Sequence, residues 1–121
     1  MKMNKGEIFF GKNNLDGRHP IVYLRDNDKN FFIGAMLTTS DDYPNNILMA
    51  EEHFKKEDPK GEKYELFFKG TYLIATELIK RDEWKPFRKV GELTDEGIRF
   101  VESKISNTKP KLWEDYRNVK E

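Results

Sequence analysis

The chain has 121 residues, room for one modest core but not for two. Its 22 basic and 22 acidic residues balance, which excludes nucleic-acid binding by sheer net charge and leaves only a local basic face for it. Cysteine is absent, so disulfides, zinc–thiolate sites and a thiol nucleophile are excluded. The two histidines, His19 and His53, do not make a transition-metal site by themselves, and no cofactor is expected. No run reaches the apolar length of a membrane span, and the opening MKMNKGEIFF lacks a signal-peptide pattern. A cytoplasmic address is the expectation.

In chain order, Glu7–Phe10 reads as a short strand with Ile8 and Phe10 on one face and Glu7 and Phe9 on the other. Gly11–Gly17 is a loop by composition. Pro20–Arg25 and Phe31–Thr38 are extended runs rich in Ile, Val, Tyr and Phe, and Asp26–Asn30 between them is turn-rich, so the pair is expected to form a β-hairpin. Phe31–Leu37 is apolar on both faces, as a central strand is. Gly34 within it marks a bulge, a bend or a close backbone approach. Ser40–Asn46 is a loop and Ile47–Ala50 a short strand. Glu51–Gly61 loses periodicity and fills with charge, a surface excursion with a helical turn at Glu51–Lys55 and with His53 as an ordinary loop residue.

Tyr64–Phe68 and Thr71–Lys80 are the next extended pieces, and Arg88–Leu93 the last short strand. The aromatics Trp84 and Phe87 are expected in the core or at a dimer contact. A helix is expected over Thr94–Ile105: Thr94 caps it, Asp95 and Glu96 suit its positive end, and Leu93 and Ile98 are spaced as a hydrophobic staple. Ile98, Val101 and Ile105 share one face, with Phe100 at its edge. Residues 106–121 form a polar tail or a short helix around Trp113 and Tyr116. The expected fold is mainly β: five to seven short strands in a strongly bent antiparallel sheet or half-open barrel, closed by the C-terminal helix, as a single domain over residues 1–105.

In an antiparallel hairpin the start of one strand lies beside the end of its partner. Arg18 and His19 precede the first strand; Thr38, Thr39 and Ser40 end the second. A cation, an imidazole and hydroxyls therefore gather at one rim of the sheet, which is the candidate site.

Several phrases resemble, in order, those of the MazF/PemK family of toxin endoribonucleases. These are Lys5-Gly6-Glu7-Ile8-Phe9-Phe10, then Gly17-Arg18-His19-Pro20-Ile21-Val22-Tyr23-Leu24, then Gly34-Ala35-Met36-Leu37-Thr38-Thr39-Ser40. Ile74–Asp82 followed by Gly91-Glu92-Leu93-Thr94-Asp95-Glu96 completes the match, which covers about residues 5–105. The resemblance implies an SH3-like barrel that cleaves single-stranded RNA without a metal, pairs as a homodimer and is neutralised by an acidic antitoxin peptide in the substrate groove. Two departures stand out. The loop Gly11–Gly17 is shorter than the family's, and His19 occupies the place directly before Pro20 where the family has its catalytic arginine, with Arg18 one residue earlier.

Cleavage of RNA by its own 2′-hydroxyl needs a group to take the 2′ proton, one to stabilise the anionic phosphorane and one to protonate the leaving oxygen. Arg18 supplies a fixed cation matched to phosphate, His19 brings an imidazole, the side-chain type that can donate or accept a proton near neutral pH, and the Thr38 hydroxyl can hydrogen-bond a phosphate oxygen. Thr39, Ser40, Glu77, Lys80 and Arg81 are the further candidate RNA contacts. The same residue types also suit an exposed loop, a turn-forming strand end and a solvated charged face. The alternative function is accordingly a non-catalytic SH3-like binding module for protein or nucleic acid.

Overall fold

A computed structural model describes residues 3–11, 19–28, 31–39, 46–65, 70–74, 78–81, 87–105 and 111–112. The elements are β1 (Glu7–Gly11), β2 (Ile21–Asp28), β3 (Phe31–Thr38), β4 (Ile47–Leu48), a 3₁₀ turn (Glu51–His53), β5 (Tyr72–Leu73), β6 (Leu78–Arg81), β7 (Phe87–Glu92), α1 (Asp95–Ile105) and β8 (Lys111–Leu112). The protein is mainly β. Six strands run in the order β4-β5-β3-β2-β1-β7, every neighbour antiparallel, while β6 pairs with β3 and carries β8 in parallel on its far side. Arg18, Ser40, Glu77, Trp84 and the Trp113–Tyr116 segment, for which the sequence raises expectations, lie outside the described residues.

β3 is the hub. Along one edge it pairs with β2 (Ile21↔Met36, Val22↔Ala35), and along the other it takes β6 on its first half and β5 on its last two residues. The register slips by two residues between β5 and β6, so the run expected as one strand from Thr71 serves β3 as two pieces. Gly34 is the close approach: a Cβ there would lie 2.7 Å from the Val22 carbonyl oxygen and 2.8 Å from the Ile21 side chain. β2 outlasts its apolar stretch and reaches Asp28. Two register shifts, after Tyr23 and after Asp26, let the polar end continue the ladder while twisting away.

Both faces of the sheet carry buried apolar side chains. On one, Val22, Leu24, Ala35, Leu37, Leu73 and Val90 meet Val101 and Ile105 of α1. By alternation the other face carries Phe9, Ile21, Tyr23, Phe32, Met36 and Ile74, with Phe87. Phe32 sits between Tyr23, at 5.3 Å between ring centroids, and Phe87, at 5.5 Å and near edge-to-face. Phe87 is thus a core residue. Each large apolar side chain so buried stabilises the fold by roughly 1.5–3 kcal/mol.

α1 starts where its cap dictates. Thr94 Oγ1 accepts the Gly97 N–H at 3.1 Å and donates to the Glu52 carbonyl at 2.8 Å, so one hydroxyl satisfies an orphan donor of the first turn and ties the helix to the 3₁₀ turn. His53, expected as a loop residue, is buried in that turn: its Nδ1 accepts the Ala50 N–H at 2.9 Å and its ring stacks 4.3 Å from Phe100.

The charged excursion is also more ordered than its composition implies. Phe54 bridges to Leu93, and Glu57 pairs with Lys63 across the turn Asp58-Pro59-Lys60-Gly61. Asp58 Oδ1 accepts the N–H groups of Lys60 and Glu62. The Lys55 N–H donates to the Glu92 carbonyl, so the excursion lies along β7 on the side away from β1 and shields that edge.

Candidate functional site

The β2–β3 register fixes the rim. Leu37 N–H donates to the Pro20 carbonyl at 2.9 Å, and the same register continued by one residue brings His19 alongside Thr38. On the other edge of β3, Thr38 pairs with Tyr72, and Tyr72 pairs with Leu48. Residues directly opposite in an antiparallel ladder point to the same face. His19, Thr38, Tyr72 and Leu48 therefore form one row across four chain segments, at the sheet's end, on the face that carries Met36 and Ile74.

Exposure grades along this row. Thr38 is buried, with 7% of its surface accessible; His19 and Tyr72 are half-buried; Thr39 and Leu48 are exposed, Leu48 at 54%. A ligand on this row would meet His19, Tyr72 and Leu48 first and the Thr38 hydroxyl last. Lys80 and Arg81 pair with Phe32 and Phe31 at the opposite end of β3, roughly 20 Å from Thr38 at the usual rise per residue. The continued β2–β3 register brings His19 and Thr38 together and sets the Lys80–Arg81 backbone apart from them, with Thr39 next in the chain just past the end of β3.

A second polar cluster lies at the other end of β1. Glu92 accepts hydrogen bonds from Lys55 at 2.8 Å, from the Tyr64 hydroxyl at 2.9 Å and from Lys89 at 3.4 Å, and Lys89 also reaches Glu7 at 2.8 Å. Arg88 pairs with Glu65 nearby. Burial alone would pull Lys89 down, but its hydrogen bonds with Glu7 and Tyr64 and the charges of Glu7 and Glu92 hold it well above the ordinary lysine range. Burial likewise pushes Glu92 up, yet the bonds from Lys55 and Tyr64 and the charges of Lys55 and Lys89 bring it below the ordinary glutamate value. Tyr64 is raised by burial and by its bond to Glu92, and Lys55 is raised chiefly by its bond to Glu92.

Every one of these shifts moves a group further from titrating near neutral pH. An acid–base catalyst needs the opposite. The cluster is a clamp that fixes the excursion and β7 to β1.

An open groove beside the clamp is lined by Glu51, Glu52, Phe54, Lys56, Glu57 and Thr94, a wall with three carboxylates that repels phosphate. Among the described residues, no three His, Asp or Glu side chains gather as metal ligands, and no helix is long and apolar enough to cross a membrane.

No family model, curated protein or solved structure matches the chain. Sequence reasoning did not single out Tyr72 or Leu48 as site residues. Their place depends on pairings between segments far apart in the chain, and the sequence signal for it is slight: Tyr72 alternates with Leu73 at the start of a β-rich run.

Proposed function

We propose that the protein is a metal-independent endoribonuclease of the MazF/PemK kind, acting on single-stranded RNA and held in check by an acidic antitoxin peptide. The observation that carries this reading is the register that sets His19 beside Thr38 at one end of a bent antiparallel sheet with a C-terminal helix. The nucleophile belongs to the substrate, so the protein need only move a proton and stabilise charge. The RNA 2′ oxygen forms a new bond to phosphorus as the bond from phosphorus to the 5′ oxygen breaks. His19 takes the 2′ proton, solvent supplies a proton to the departing 5′ oxygen, and Arg18 faces the phosphorane's negative charge. The products are a 2′,3′-cyclic phosphate and a 5′-hydroxyl. Thr39, Ser40, Glu77, Lys80 and Arg81 remain the proposed RNA contacts, and the working assembly is a homodimer.

The burial of Thr38 favours a second reading, a binding module that keeps the sheet without the cleavage chemistry, since a hydroxyl this enclosed reaches a phosphate only from within the row. Incubation of the purified protein with a long single-stranded RNA, with and without EDTA, separates the two. The nuclease reading expects cleavage that persists in EDTA and falls about a hundredfold or more in Arg18→Ala and in His19→Ala. RNA left intact after prolonged incubation with wild type overturns the nuclease and supports the binding module.

A further inference from the structure

Leu48 is the large apolar side chain that stands exposed among the described residues, at 54%. It is not an isolated surface leucine: it lies directly opposite Tyr72, on the same face, and Tyr72 lies directly opposite Thr38. An aromatic ring and an aliphatic side chain thus continue the row that His19 and Thr38 begin. We propose that Tyr72 and Leu48 form the platform on which one unpaired nucleobase of the RNA stacks, next to the phosphate held at His19 and Thr38. The platform rests on the RNA binding proposed for the row and deepens it.

Three features of the row point to a base. First, neighbouring strands lie about 5 Å apart, so Tyr72 is one strand from the hydroxyl and two from the imidazole. A single nucleotide can lay its phosphate on the polar end and its ring on the aromatic end without leaving the row. Second, polarity changes along the row in the order a nucleotide presents it: imidazole, hydroxyl, phenol ring, then alkyl. Third, an aromatic ring stacks on any base, and Leu48, exposed directly opposite Tyr72, adds apolar surface beside it. A peptide that added itself as a strand to the outer edge of β4 would engage backbone groups and Leu48 but would have no use for the Tyr72 ring.

Fluorescence anisotropy with a short 5′-labelled single-stranded RNA tests this, using wild type, Tyr72→Leu, Tyr72→Phe and Leu48→Ser. Tyr72→Leu keeps an apolar side chain in the strand but removes the π-face, and binding should weaken between about fivefold and a hundredfold, the range for losing one base stack. Tyr72→Phe should stay within about twofold of wild type, because stacking uses the ring and not the hydroxyl. The salt dependence should keep its slope in all variants, since phosphate contacts are untouched. An RNA series with one abasic nucleotide moved along the strand needs no protein variant. One position should match the loss seen in Tyr72→Leu, and combining the two should add nothing further.

Equal RNA affinity in folded Tyr72→Leu and wild type, with no sensitive abasic position, overturns the platform while leaving the nuclease reading intact. Wild type that binds RNA with this Tyr72 dependence but does not cleave it overturns the nuclease reading and supports the platform. Wild type that binds no RNA overturns both. RNA binding that weakens in Leu48→Ser and not in Tyr72→Leu overturns the platform.

Discussion

Gly97 offers a prediction whose sign runs against helix propensity. It occupies the third position of α1, and replacing glycine by alanine inside a helix ordinarily stabilises by up to about 1 kcal/mol. Here a Cβ at Gly97 would lie 2.2 Å from the His53 carbonyl oxygen and about as close as real Cβ atoms ever come, 3.0 Å, to its carbonyl carbon. The obstacle is backbone, and it is committed: that same oxygen accepts the Thr94 N–H at 3.0 Å. To admit the methyl, helix and turn must separate by roughly 1 Å. That weakens the Thr94 bond, the Thr94 hydroxyl's link to Glu52 and the His53–Phe100 stacking together. Overpacking of this kind costs about 1–3 kcal/mol and a lost hydrogen bond about 1 kcal/mol, which together exceed the propensity gain. Gly97→Ala should therefore lose about 1–3 kcal/mol net, a fall in Tm of roughly 4–12 °C for a chain of this size. Urea unfolding followed by far-ultraviolet circular dichroism measures it as a lower midpoint at unchanged slope. A Gly97→Ala protein as stable as wild type, or more so, would refute the claim that α1 is pressed against the His53 turn.

Two further expectations concern pH. Glu92 is held below the ordinary glutamate value of 4.5 in the fold, so the stability it contributes is present above that value and is lost as pH falls through the lower folded value. Glu92→Gln should be less stable at neutral pH and should show a shallower acid limb when urea midpoints are compared across that range; a limb as steep as wild type counts against the clamp. Tyr23 is pushed up from 10.0 to about 12 by burial, by its hydrogen bond to Asp26 and by that carboxylate's charge. The folded protein then keeps a proton that the unfolded chain has released, so stability should decline as pH rises from 10 to 12 and decline less in Tyr23→Phe, with the raised Tyr64, Lys55 and Lys89 supplying the remainder.

What the sequence discloses is what short-range chemistry decides. The Asp- and Asn-rich span between two β-branched runs marks the β2–β3 hairpin, and the hairpin alone implies that His19 and Thr38 are neighbours. Thr94 followed by two acids and a staple marks the start of α1 to the residue. Gly34 within an apolar strand announces a close approach without saying to what; the answer, the Val22 carbonyl, needs the partner strand. Hidden from sequence are the features that depend on pairing between distant segments. Tyr72 reads as one of several apolar residues in a strand until its register with Thr38 and Leu48 is known. The charged excursion hides its order for a different reason. Lys55, Tyr64, Lys89, Glu7 and Glu92 satisfy one another across three segments, and no local periodicity records such a match.

These two polar regions sit at opposite ends of one strand, and that placement has a consequence for function. Glu7, at the start of β1, pairs with Glu92 in the clamp; Gly11, at its end, pairs with Phe87, and the Phe9↔Ile21 register runs on toward His19. The ends are separated by roughly 13 Å of extended chain. At this separation changes in the clamp and changes in the row are expected to add rather than couple. The clamp's members hydrogen-bond one another and hold the edge of β7 and the excursion in place. The row is graded from a buried hydroxyl to an exposed leucine and has surface left to offer. The clamp's charges are already paired with one another, which leaves the opposite rim of the same sheet as the place where a ligand can still be met.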